Sequence, residues 1–209
     1  MTDISVLQTL LHWKLLKCSH QWPGPDGWTC IVEAAIVAAG FPYRRIMLTE
    51  DAPPDFSPVI SAYLIELNDG LPDGERQRLS VFVDRLSNSA GNEKIENQRR
   101  QLIESETVTR VLPQLLRSLK MRMSAEICGH ELLSASSLLD RVVTRLQGAG
   151  MLSPPGFGSR TSSHCRVAAA ARLACAAFKA TGQKSVVDRA IAIADAALQI
   201  RIRPSEASR

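Results

Sequence analysis

The sequence predicts an all-α protein: a multi-helix orthogonal bundle with an alanine-rich helical hairpin at its C-terminus. Three observations carry that reading. Aromatic residues make up only 5% of the 209-residue chain while alanine and leucine are plentiful, which favours helix-on-helix packing over a β-sandwich. The apolar residues recur at helical spacing in segment after segment. No segment sustains the apolar–polar alternation of a half-buried strand, and "RRIML" (44 to 48) offers only a short fragment of one.

The elements follow in order. Ile4, Leu7, Leu10, Leu11 and Leu15 fall on one stripe, so residues 4 to 17 read as an amphipathic helix. A loop from 18 to 29 is stiffened by Pro23 and Pro25 and bent by Gly24 and Gly27. "CIVEAAIVAA" then reads as a short buried helix, ended by Gly40 at the left-handed position and by Pro42 beyond it. After the polar loop 48 to 57, Ser57 and Pro58 form an N-cap and first-turn pair for "VISAYLIELND". "LPDGERQRLSVFVDRL" predicts another helix, with Leu79, Phe82, Val83 and Leu86 on one stripe, and "EKIENQRRQLIES" a further one.

Val108, Val111, Leu112, Leu115, Leu116, Leu119 and Met123 make the strongest stripe, which Pro113 must kink or restart. Leu138, Leu139, Val142, Val143 and Leu146 mark a helix that ends at "GAG". "SPPGFGSRTSS" (153 to 163) has linker composition and divides a main domain (1 to 152) from the C-terminal hairpin (164 to 209). The hairpin comprises helices near 165 to 180 and 185 to 200, split at Thr181 and Gly182. Its small side chains allow close helix axes.

Composition bounds the function. Apolar and charged fractions of 45% and 22% are those of a globular protein, and a net charge of +4 with no sharp basic cluster disfavours a dedicated nucleic-acid binder. No apolar run reaches the roughly 18 residues of a membrane span. The N-terminus lacks the pattern of a secretory signal, and five irregularly spaced cysteines argue against a disulfide framework. The expected location is the cytoplasm. No Walker A, G-x-G-x-x-G, G-x-S-x-G, H-E-x-x-H or EF-hand pattern occurs, so no cofactor is expected.

The candidate site lies in "CSHQWPGPDGWTCIVEAAIVAAGFPYRR" (18 to 45). Cys30 opens a helix, where the positive end of the macrodipole favours thiolate. Glu33 and Val37 share its face, and His20 precedes it across the proline-rich loop. Thiol, imidazole and carboxylate are the parts of a cysteine nucleophile with base and orienter. They are also competent zinc ligands. The simpler reading makes Cys30 a small buried hydrophobe, has His20 cap or brace the loop, and lets Glu33 satisfy orphan backbone donors or face water. The pairs Cys128–His130 and His164–Cys165 lack zinc-module spacing, and "CGH" reads better as a helix terminus. Arg99, Arg100, Arg110, Arg117, Lys120 and Arg122 dot the long helical segment. Arg110 and Arg117, a heptad apart, could with Lys120 form a stripe for phosphate or an acidic partner, but read first as the solvated face of an amphipathic helix.

The residues Ser19, His20, Pro23, Gly27, Cys30, Glu33 and Ala34, with "FSPVISAYLIELNDGLPD" at 56 to 73, are similar to a recurrent family of bacterial and phage-associated proteins. That family shares a pattern close to G-S-H-x-x-P-x-x-G-x-C-x-x-E-A, then C-x-S-P-V-I and N-D-G-L segments, and has no established activity. The resemblance covers about a third of the chain. Cys18 stands where the family pattern has glycine, and Asp55 where it often has cysteine. A metal site implied for relatives at these positions would here be Cys30, His20 and Asp55, and a disulfide from Cys30 to position 55 cannot form.

The leading expectation is a small interaction or regulatory protein of a mobile element that acts by macromolecular binding. Its partner would be another protein in preference to nucleic acid. The alternatives are a thiol-dependent enzyme using Cys30 with His20, and a structural zinc protein.

Overall fold

Alanine-rich helices let neighbouring axes come close, and the longest of them lies at the middle of this fold. A computed structural model describes residues 14–19, 28–119, 134–152 and 162–201. In chain order these form β1 (Lys14–Leu15), β2 (Trp28–Thr29), α1 (Ile31–Ala38), a 3-10 turn (Thr49–Asp51), α2 (Pro58–Gly70), α3 (Asp73–Arg76), a 3-10 stretch (Gln77–Phe82), α4 (Glu93–Glu106), a π turn (Thr107–Val111), α5 (Leu112–Ser118), α6 (Ala135–Gly148), α7 (Ser162–Thr181) and α8 (Lys184–Gln199). The described chain is all-α apart from one two-residue parallel pairing, Lys14 beside Trp28 and Leu15 beside Thr29.

Helix α7 is the centre of the bundle. It lies most extensively along α2 and also packs on α4, α5, α6 and α8. A Cβ added at Gly70 would stand 2.5 Å from Cys175 Sγ, so the two axes approach as closely as they do only because residue 70 has no side chain. One apolar core runs from Leu15 through Ile36, Tyr63, Leu112, Leu139 and Ala171 to Leu198. Each fully buried leucine or isoleucine there contributes about 1.5–3 kcal/mol of hydrophobic stabilisation.

The local start and stop signals are used as read. Ser57 Oγ accepts from Ile60 N at 3.2 Å and Pro58 follows it. Gly40 takes φ +83° after α1 and Gly182 φ +64° between α7 and α8. Pro113 starts α5 anew, and the turn before it widens to a π turn. Proline has no N–H to continue the ladder, and a π turn absorbs the gap.

Two helices read from periodicity are otherwise. Residues 14 and 15 of the helix expected over 4 to 17 are extended, while 4 to 13 lie outside the described residues. Long-range bonds decide this: Leu15 N donates to Gln77 Oε1 at 2.9 Å, and Asn68 Nδ2 donates to Leu16 O at 2.6 Å. The segment 71 to 86 is not one helix but α3 followed by 3-10 turns, although Leu79, Phe82 and Leu86 are buried as the stripe predicts. Arg76 dictates the break. Fully buried, it donates to Asn68 O and Leu71 O at the end of α2 and pairs with Asp73. Those are the carbonyls that a helix terminus leaves without partners.

Candidate functional site

Helix α1 begins with a reciprocal cap built on a thiol. Cys30 has extended geometry, its Sγ accepts from Glu33 N at 3.4 Å, and Cys30 N donates back to Glu33 Oε2 at 3.1 Å. This is a capping box with cysteine in the serine position. The Glu33 carboxylate is wholly buried and collects more donors. Thr29 Oγ1 donates to Oε2 at 3.3 Å, Ile46 N to Oε1 at 3.1 Å, and the Ser19 hydroxyl to Oε1. The Tyr43 hydroxyl also bonds Glu33. Burial, and then the Glu33 charge beside it, push the Tyr43 hydroxyl up, so it stays protonated as a donor. Arg45 Nε reaches Ser19 Oγ at 3.2 Å and ties the outer end of this network to the surface.

The structure therefore joins Cys30 and Glu33, and adds Ser19, Thr29, Tyr43 and Ile46, which spacing did not reveal. His20 lies outside the described residues, as do Cys128, His130, Lys120 and Arg122. Asp55 belongs to another corner, where its Oδ2 accepts from Asn88 N at 3.4 Å and its carbonyl from Ala90 N at 2.8 Å. Among the described residues no three histidine, cysteine or acidic side chains group as metal ligands. His164 Nδ1 instead faces Glu50 Oε1 at 3.7 Å.

The macrodipole expectation for Cys30 meets an opposing effect. Burial, and next the Glu33 charge, push the thiol well above its ordinary range, while backbone hydrogen bonds from Glu33 and Val32 pull it down by less. Desolvation of a thiolate at a 4% exposed position outweighs the dipole. Cys18, by contrast, is exposed and holds φ +64°. A left-handed backbone is one that glycine adopts more readily than cysteine.

The basic residues separate in the same way. Arg99 is not on a solvated face: it is buried and donates to Ser89 O, Ala197 O and Ile200 O while pairing with Glu96. It anchors the C-terminal end of α8. Arg110 is exposed and pairs with Glu106, and Arg117 donates to Pro113 O of its own helix.

A second place remains polar without being so closed. Between α2 and α7, with α5 and the end of α6 as its other walls, lies a cleft of about 540 Å³. Leu115, Leu119, Leu146 and Leu152 supply apolar lining, and half-exposed Met151 borders it. The polar lining is Glu66 and Asp69 from α2 with Arg172 and Lys179 from α7. Arg172 Nε and Nη1 are buried with no hydrogen-bond partner among the described residues. Burial raises the Glu66 carboxyl to about 7, against the pull of Arg172 and with a smaller push from Asp69. Asp69 is occupied, accepting from Cys18 N at 2.8 Å. Cys175, also in the lining, is buried, and burial pushes its thiol up to about 12.

Sequence reasoning passed over this cleft. A signal was available: Arg172 is the lone charge inside "VAAAARLACAA", and Arg172, Cys175, Ala176 and Lys179 share one helical face. Charges isolated on an otherwise buried stripe mark places where a helix faces something other than core. Comparison of the chain with family models, curated proteins and solved structures gives no match.

Proposed function

We propose that this protein acts by binding a ligand in the cleft between α2 and α7, and that thiol chemistry at Cys30 is not its function. One observation carries the reading. The cleft is of small-molecule size and holds a buried guanidinium edge that has no partner among the described residues, opposite a carboxyl displaced toward neutrality. Buried polar groups left unbonded cost about 1–3 kcal/mol each, more when charged, and a ligand that bonds them removes that cost. Apolar walls with a few convergent polar groups are the usual form of such a site. The sequence favours macromolecular binding, whereas this reading assigns a small ligand to a partly open cleft.

The enzyme alternative loses support at the same point. The Cys30 sulfur accepts the first-turn N–H of α1, is buried, and has its pKa raised. An activated nucleophile requires the opposite on each count.

Two measurements test the proposal. Thermal unfolding is followed against a panel of small acids, amines, sugars and nucleotides, for the native chain and for Ala176→Trp, which fills the cleft. At least one class should raise the native Tm and leave the variant unmoved; a panel in which no member separates the two proteins overturns the reading. Iodoacetamide labelling of native protein should modify Cys18 and spare Cys30. Rapid labelling of Cys30 that His20→Ala abolishes would reinstate the thiol enzyme.

A further inference from the structure

The polarity of the cleft narrows what it can take, provided that the binding reading above holds. We infer that the cleft accepts an amphipathic monocarboxylate, with its head group on Arg172 and Lys179 and its hydrocarbon chain against Leu115, Leu119, Leu146 and Leu152.

The argument starts from the unsatisfied donors. Nε and Nη1 of Arg172 carry N–H groups that nothing in the described chain accepts, so the missing partner is an acceptor, and a charged one stabilises a guanidinium best. Lys179 lies on the same face of α7 and is exposed, which places a second positive charge at the mouth. Charge and shape both limit the anion. Glu66 and Asp69 line the opposite wall, so a dianion such as a phosphate monoester would meet two carboxyl groups at close range. A monoanion meets less repulsion. It also gains where Glu66 is protonated, because a carboxylic acid donates an O–H to a carboxylate. The rest of the wall is aliphatic and can hold only a hydrocarbon.

The charged and titratable groups facing Glu66 are Asp69 from its own helix and Arg172, Cys175 and Lys179 from α7; α5 and the 146–152 segment contribute Leu115, Leu119, Leu146, Met151 and Leu152, none of which titrates. Deprotonation of Glu66 therefore sets a negative charge beside the bound head group. Carboxylate affinity should fall as Glu66 ionises.

Octanoate, octanol and octylamine share one chain and differ in head group, so calorimetric titration of the native protein with each separates the contributions. Octanoate should bind saturably and roughly tenfold tighter than octanol, a head-group difference of about 1.4 kcal/mol. Arg172→Met should remove that preference, and Lys179→Met, an exposed position whose change leaves the fold intact, should reduce it by several-fold. The octanoate affinity of the native chain should weaken between about pH 6 and pH 8, and that of Glu66→Gln should stay level. Equal binding of octanoate and octanol, or preference for octylamine, overturns the monocarboxylate assignment while leaving the cleft as a binding site. If none of the three binds yet other members of the panel still protect the native chain and not Ala176→Trp, the assignment fails and the binding reading stands. If nothing protects, both fall.

Discussion

Two glutamates, each on a short helix and each withdrawn from solvent, have opposite surroundings. Glu33 is met by two backbone N–H groups and the hydroxyls of Ser19, Thr29 and Tyr43. Glu66 faces a cleft, and burial raises its carboxyl to about 7. The arginines repeat the contrast. Arg76 and Arg99 deliver their N–H groups to carbonyls at helix ends, whereas Arg172 keeps two nitrogens enclosed and unbonded. A buried charge surrounded by partners is part of the framework. A buried charge lacking them costs folding stability and is open to a ligand, and that is the physical ground for proposing function at Glu66 and Arg172.

The comparison breaks most readily at Glu33. Glu33→Ala strands its donors in the core and should cost about 4 kcal/mol, read as the shift in urea midpoint. A loss of under about 1 kcal/mol would mean that the network is not structural. The arginines give the next largest effect. Arg99→Met should lose about 3 kcal/mol, because Ser89, Ala197 and Ile200 carbonyls lose their donor, while Arg172→Met should change stability by less than about 1 kcal/mol. Equal losses at the two sites would erase the distinction.

The smallest and sharpest effect depends on pH. The Glu66 carboxyl titrates near 4.5 when unfolded and about 7 in the fold. The folded state thus holds its proton longer, and stability falls as pH rises between those values. Below them the penalty is absent; above them it is complete, at about 3 kcal/mol or less. Glu66→Gln should match the native protein in acid and exceed it progressively up to neutral pH, with a constant margin beyond. A margin independent of pH would show that Glu66 is solvated like any surface carboxylate.

Much of the fold was legible because its signals are local. Ser57 with Pro58, Gly40, Gly182 and the stripes of α5 and α6 mark their helices within a turn or two of the residues concerned. The reading failed where a distant residue intervened. Leu15 is extended because Gln77, 62 positions away, holds its N–H, and the helix expected over 71 to 86 breaks where Arg76 turns inward. At the candidate site, spacing puts Cys30 and Glu33 on one helical face, while their reciprocal cap and the joining of Ser19, Tyr43 and Ile46 come from the folded loops.

By itself, then, the sequence determined an all-α chain, the caps that open α1 and α2, the glycine breaks, and the close approach of an alanine-rich helix to its neighbour. Those properties depend on backbone dihedrals, side-chain bulk and hydrogen bonds spanning three or four residues. Tertiary structure alone decided which charges found partners. Arg99 reaches Ala197 O across 98 residues, and Glu66 and Arg172 line one cleft only because α7 lies along α2. Desolvation and long-range pairing are properties of the assembled core, so the same residue type becomes a structural hub in one corner and a group unpaired among the described residues in another.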